Sequence, residues 1–158
     1  MPPCGGNKWD IDRLRRRFGS QTDATKHRAR NTVVMVIGIG TDIVKIERIA
    51  RIIQRLPQFI DRVFTPAEAE YCLSKAVPAQ SFAARFAAKE AVMKAIGSGW
   101  SEGIAWQDIE VTIGPNGNPG ITVHNACAQF MESKQIHSIH VSLAHEKEYA
   151  IAYVLLER

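Results

Sequence analysis

The sequence predicts an α+β domain: mixed helices with a mainly antiparallel sheet. Apolar residues recur at helical spacing between about residues 45 and 96. Short β-type runs punctuated by Gly and Pro fill the second half. Helices come first and strands later, instead of a strict strand–helix alternation, which separates α+β from a doubly wound α/β order.

Taken in order, residues 1–33 read as a basic N-terminal extension ahead of a domain at 34–158. The extension carries Arg13-Leu14-Arg15-Arg16-Arg17, has weak apolar periodicity, and allows a short helix over Trp9–Phe18. A strand is expected at about 33–39, followed by a loop through Asp42. A helix follows at about 45–56, with Ile46, Ile49, Ile53 and Leu56 on its apolar side, and Pro57 ends it. Thr65-Pro66-Ala67-Glu68 is a capping box with proline at the first helical position, opening a short helix to about Leu73. Residues 81–96 form a long alanine-rich helix stopped by Gly97. The run 114–119, Gly-Pro-Asn-Gly-Asn-Pro, is a hairpin turn between strands at 109–113 and 120–123. A helix at about 124–134 and strands at 140–144 and 149–156 complete the chain.

Charge narrows the function classes. Residues 1–33 hold eight Lys/Arg and three Asp, a net of +5, so the remaining twelve Lys/Arg and thirteen Asp/Glu give the domain a net of −1. The basic balance therefore belongs to the extension, and nucleic acid is not an expected partner of the domain. No apolar run approaches the ~18–20 residues that span a bilayer, so no membrane association is expected. Cys4, Cys72 and Cys127 are widely spaced, which fits reduced thiols in a cytoplasmic protein. Residues 1–30 lack the apolar core of a secretory leader.

Two carboxylates stand out. Asp42 interrupts an apolar run, Val36–Ile46, where packing gives no reason for a charge. Ala83, Ala87, Glu90 and Lys94 share one face of the long helix, and the small alanines leave room for another element to approach Glu90. A hard divalent cation prefers carboxylate oxygens, retains waters and bridges to substrate phosphates, so Asp42 and Glu90 form a candidate Mg²⁺ pair. The competing interpretation makes Asp42 the cap of the helix near Lys45 and Glu90 a surface partner of Lys94. Arg85, Lys89 and Lys94 supply cations for a phosphate-bearing ligand, or else a solvated helix face. Lys45, Arg48, Arg51 and Arg55 against Glu47 make the first helix basic, which suits an acidic partner or a solvated face. His145 lies in the last turn, where it could contact a phosphate. Gly38-Ile39-Gly40 lacks the third glycine of a dinucleotide fingerprint, and His145-Glu146 lacks the second histidine of a zincin.

The segments GIGTDIVKIERI at 38–49 and FAARFAAKEAVMKAIG at 82–97 closely resemble the two signature motifs of the holo-[acyl-carrier-protein] synthases, small 4′-phosphopantetheinyl transferases. RVFTPAEAEYC at 62–72 and HVSLAHEKEYAIAYV at 140–154 resemble the same family, whereas residues 1–33 have no counterpart in its pattern. The resemblance implies transfer of phosphopantetheine from coenzyme A to a serine of apo acyl carrier protein, with release of 3′,5′-ADP. It implies Asp42 and Glu90 as Mg²⁺ ligands, Lys94 beside the pyrophosphate, and Arg85 and His145 on the coenzyme's phosphates. It places Gly97 and the loop 114–119 along the nucleotide pocket and Arg48 in a carrier-docking helix, which Arg51 and Arg55 extend. A homotrimer with active sites between subunits is also implied. The serine proton would pass to Glu90 or to a metal-bound water that Glu90 holds.

Overall fold

A computed structural model describes residues 34–97 and 103–158; the helix expected at Trp9–Phe18 lies outside the described residues. Strand β1 (Val36–Lys45) leads into helix α1 (Ile46–Arg55), α2 (Gln58–Val63), α3 (Pro66–Leu73) and the long α4 (Pro78–Ile96). A 3-10 turn (Trp106–Asp108) precedes the hairpin β2 (Ile109–Ile113) and β3 (Pro119–Val123). Helix α5 (Asn125–Ser133) and strands β4 (Ser138–His145) and β5 (Tyr149–Glu157) follow. The main sheet runs β1–β5–β4, all antiparallel, and β2–β3 form a separate two-stranded ribbon.

Side chains in a strand alternate between the two faces, and β5 shows this plainly. Ala150, Ala152, Val154 and Leu156 are buried, while Tyr149, Ile151 and Tyr153 are exposed. The buried row packs on α4, whose Ala83, Ala87, Ala88 and Ala91 have no exposure. The element that the alanines admit is β1. A Cβ at Gly38 would lie 2.3 Å from the Ala95 carbonyl oxygen, and one at Gly40 would lie 1.9 Å from that of Ala91. Backbone therefore rides on backbone along this seam, with no space for a side chain between. At the other end of α4, Phe64 and Phe82 pack with ring centroids 4.9 Å apart, and Phe86 stacks on Trp106 at 5.0 Å.

Helix α3 is fixed by a buried ion pair. Thr65 caps α3: its hydroxyl accepts from the Glu68 N–H, and its own N–H donates to Glu68 Oε2 at 2.9 Å. Lys89 Nζ lies 2.8 Å from that same carboxylate oxygen, with both side chains wholly buried. The ammonium also donates to the Trp106 and Ile109 carbonyls, and Glu68 Oε1 accepts from the Val111 N–H at 2.9 Å. One ion pair thus ties α3, α4, the 3-10 turn and β2 together, with most of its hydrogen-bonding capacity used.

Three expectations change. β1 does not end at Ile39; it continues through Asp42 to Lys45, because β5 pairs with it as far as Lys45 opposite Tyr149. Pro57 does end α1, but it also caps a second helix, α2, that apolar spacing did not indicate. The long helix begins at Pro78, where a proline suits the first turn, and not at Ser81.

Candidate active site

Asp42 is carried by β1, two residues beyond Gly40, and Glu90 is carried by the middle of α4. Gly38, Gly40, Asp42 and Val44 share strand parity, so the seam that presses the glycines onto Ala91 and Ala95 also turns Asp42 toward α4. Lys94 follows Glu90 by one helical turn. Its Nζ donates to Asp42 Oδ1 at 2.7 Å and to the Thr41 carbonyl at 3.0 Å. The Asp42 side chain is 15% exposed and that of Lys94 is 51% exposed.

Neither competing interpretation matches the short contacts among the described residues. Lys45, not Asp42, occupies the cap position of α1, and no side chain bonds there. Lys94 spends its short contact on Asp42 across the seam. Glu90 is left partly buried beside a second carboxylate. Burial, then the Asp42 charge, push its pKa above the ordinary value, while Lys94 and Arg48 pull the other way.

The donors fit a hard divalent cation. Among the described residues no group of three or more His, Cys, Asp or Glu forms a metal cage. The oxygens available are those of two carboxylates whose mutual repulsion is felt at Glu90. Mg²⁺ is commonly held by one or two carboxylates together with waters and phosphate oxygens, and Asp42 with Glu90 would meet that demand.

The remaining candidates lie elsewhere. Arg85 is 3% exposed and points toward α3, with its guanidinium 4.0 Å over the Tyr71 ring, which Lys75 also approaches at 4.0 Å. Its Nε has no hydrogen-bond partner among the described residues, and the neighbouring Cys72 thiol is pushed by burial up to about 11. His145 is exposed at the end of β4, opposite Ala150, roughly 10 Å across the sheet from the strand that carries Asp42. Within one chain, Arg85 and His145 therefore do not join Asp42, Glu90 and Lys94. Gly97 closes α4 three residues after Lys94, with φ +78° and its N–H on the Met93 carbonyl. In the 114–119 turn, the Gly117 N–H donates to the Gly114 carbonyl at 2.9 Å. Arg48, Arg51 and Arg55 are all exposed on α1, opposite the buried Ile46 and Ile49. Arg51 is paired with Glu47 one turn back.

Lys89 needs a correction. Expected either as a cation for phosphate or as part of a solvated helix face, it is instead the buried partner of Glu68. A signal for this was present: Lys89 is seven residues from Phe82, so it recurs on the same helical face as a core aromatic.

Comparison with known proteins identifies the family. A family model described as the 4′-phosphopantetheinyl transferase superfamily matches residues 38–154. A holo-[acyl-carrier-protein] synthase of Koribacter versatilis is 48% identical over 124 residues, covering 78% of this chain and 99% of that protein. One from Moorella thermoacetica is 48% identical over 118 residues, covering 75% and 91% of the two chains. The crystal structure of the holo-[acyl-carrier-protein] synthase of Neisseria meningitidis superposes with a TM-score of 0.73 at 33% identity, covering 78% of this chain and all of that one. That of Helicobacter pylori, solved in complex with coenzyme A, gives 0.66 at 34% identity over 75% of this chain and 98% of its own. With the strand–helix seam, the paired carboxylates and these matches in hand, the chain belongs to the holo-[acyl-carrier-protein] synthase family of the 4′-phosphopantetheinyl transferase superfamily.

Proposed function

We propose that this protein transfers 4′-phosphopantetheine from coenzyme A to a serine hydroxyl of apo acyl carrier protein, releasing 3′,5′-ADP. The observation that carries the proposal is the convergence of Asp42, Glu90 and Lys94 across the β1–α4 seam, in a chain of this family. The serine oxygen forms a bond to the pantetheine-side phosphorus, the bridging P–O bond breaks, and the electron pair leaves with 3′,5′-ADP. Because the nucleophile belongs to the partner, the chain needs no activated Ser or Cys of its own.

Asp42 and Glu90 would hold Mg²⁺. When bound, the ion offsets the charge that grows on the pyrophosphate oxygens. Lys94 has a flexible, half-exposed side chain that can reach the same oxygens and stabilise them electrostatically. Glu90, which shares the site with Asp42 and Lys94, suits the role of proton acceptor for the serine, directly or through a water.

The basic face of α1, with Arg48, Arg51 and Arg55, suits an acidic carrier and would steer its approach. Association as a homotrimer is supported by the uncovered sheet face, where Ile39, Ile43, Ile151 and Tyr153 are 43–63% exposed. Sites shared between copies would bring His145 of one chain to the Asp42 cluster of another. Cys72 and Cys127 are buried free thiols, in keeping with a cytoplasmic protein. Among the described residues no helix is long and apolar enough to cross a membrane.

The test incubates the protein with coenzyme A, Mg²⁺ and an apo acyl carrier protein, then weighs the carrier. A mass gain of one phosphopantetheine is expected, and it should disappear with EDTA. A carrier of unchanged mass, with the enzyme folded, refutes the proposal.

A further inference from the structure

We propose that Lys94 is a built-in stand-in for the divalent cation: its ammonium occupies Asp42 until a metal ion takes that carboxylate, and only then is it released to the substrate phosphate. This inference rests on the metal-binding role given above to Asp42 and Glu90.

The contact pattern is the starting point. Lys94 Nζ does not hang in solvent, although half of the side chain is exposed. It sits on two oxygens of β1, the Asp42 carboxylate at 2.7 Å and the Thr41 carbonyl at 3.0 Å. Both are hard oxygen donors, the kind a divalent cation also prefers. The ammonium thereby neutralises one of two carboxylates that would otherwise face each other beside the seam. A divalent ion on Asp42 does the same with twice the charge, and two cations crowded on one carboxylate repel.

The structure also dictates which group gives way. Asp42 and Glu90 hang on backbones pressed together at Gly38 and Gly40, so neither element can slide. Lys94 reaches Asp42 through four flexible methylenes and can swing without moving α4. Its departure from Asp42 and its arrival at a phosphate oxygen become one event, triggered by metal loading. Without metal, the cation meant for the substrate stays occupied.

The test measures Mn²⁺ binding to the full chain in the absence of coenzyme, by the loss of the free-ion electron paramagnetic resonance signal. Lys94→Met should bind Mn²⁺ about 3- to 10-fold more tightly than wild type, because a competing cation has been removed from the ligand itself. Lys94→Arg, which keeps a cation in reach, should stay within about 2-fold of wild type. Arg48→Met controls for long-range charge, since Arg48 influences Glu90 but makes no short contact with Asp42 among the described residues. It should gain less than about 2-fold. Unchanged or weaker binding in Lys94→Met overturns the stand-in role, as does an equal gain in Arg48→Met. Lys94→Gln serves as the second neutral variant if the methionine variant unfolds. Absence of Mn²⁺ binding in both wild type and Lys94→Met, up to millimolar ion, defeats the metal role of Asp42 and Glu90 and this proposal with it.

Discussion

Replacing Lys89 with methionine should cripple folding without touching the substrate-facing side of α4. The substitution keeps the volume and stem but removes the ammonium that sits 2.8 Å from Glu68 Oε2 with no exposure on either side. Glu68 retains the Thr65 and Val111 N–H donors, yet its charge is left buried without a counter-ion. The Trp106 and Ile109 carbonyls lose the Lys89 ammonium as well. Removing one partner of a buried pair typically costs about 3–5 kcal/mol, and a cost of about 4 kcal/mol is expected here. That is a large part of the roughly 5–15 kcal/mol that holds a domain of this size together. The midpoint of thermal unfolding should fall by roughly 10–20 °C. Urea unfolding followed by circular dichroism gives the free energy directly. Adding Glu68→Gln to Lys89→Met should recover about half of the loss, since the neutral amide still offers one acceptor to the N–H donors. A single variant within about 1 kcal/mol of wild type at neutral pH, or a double variant worse than the single one, would show that the pair is not what fixes α3, β2 and the 3-10 turn to α4.

Other expectations concern the site and the surface. Glu90→Gln should abolish transfer yet raise stability at neutral pH: the folded-state pKa lies above the unfolded 4.5, so ionisation on raising the pH costs stability that a neutral amide never loses. The gain should shrink as pH falls toward that unfolded value and be gone below it, and denaturant titrations at neutral and acid pH read it; a variant less stable than wild type at neutral pH contradicts the burial argument. Arg48→Glu with Arg51→Glu should raise the KM for an acidic carrier roughly tenfold at low salt and leave coenzyme A binding unchanged. Most of the effect should come from Arg48, since Arg51 is partly spent on Glu47. An unchanged KM and salt slope in steady-state kinetics dismisses the docking face. Deleting residues 1–33 should preserve folding and transfer, as the family match begins at residue 38; an insoluble or inactive product shows that the extension is part of the domain.

Much of this architecture could be read from the chain, for local reasons. The Thr65–Glu68 capping box, the glycine stop at Gly97 and the Gly-Pro-rich turn at 114–119 are short-range devices, and each stands where its residues imply. The misplaced end of β1 has the opposite cause. Its last pairs, through Lys45 opposite Tyr149, depend on a strand about a hundred residues away, which local spacing does not record. The same holds for Lys89, since a buried lysine looks like any other until Glu68 is placed opposite it. Asp42 and Glu90 were conspicuous as charges out of place, but their meeting depends on the glycine seam. Arg85 shows the limit of helical position: it shares α4 with Glu90 yet faces Tyr71 on another side.

The seam has a consequence for how the site tolerates change. In most proteins two functional side chains from distant segments are spaced by packed side chains, so a repacked core shifts the spacing. Here the datum surfaces are main-chain atoms, Gly38 and Gly40 against the Ala91 and Ala95 peptides. Their separation is set by van der Waals radii, which no substitution elsewhere in the core can retune. Drift in the aromatic cluster, the hairpin or the short helices would alter stability while leaving the Asp42-to-Glu90 gauge intact. The spacing of these two carboxylates is therefore carried by a ten-residue strand and one face of a helix, where main chain meets main chain.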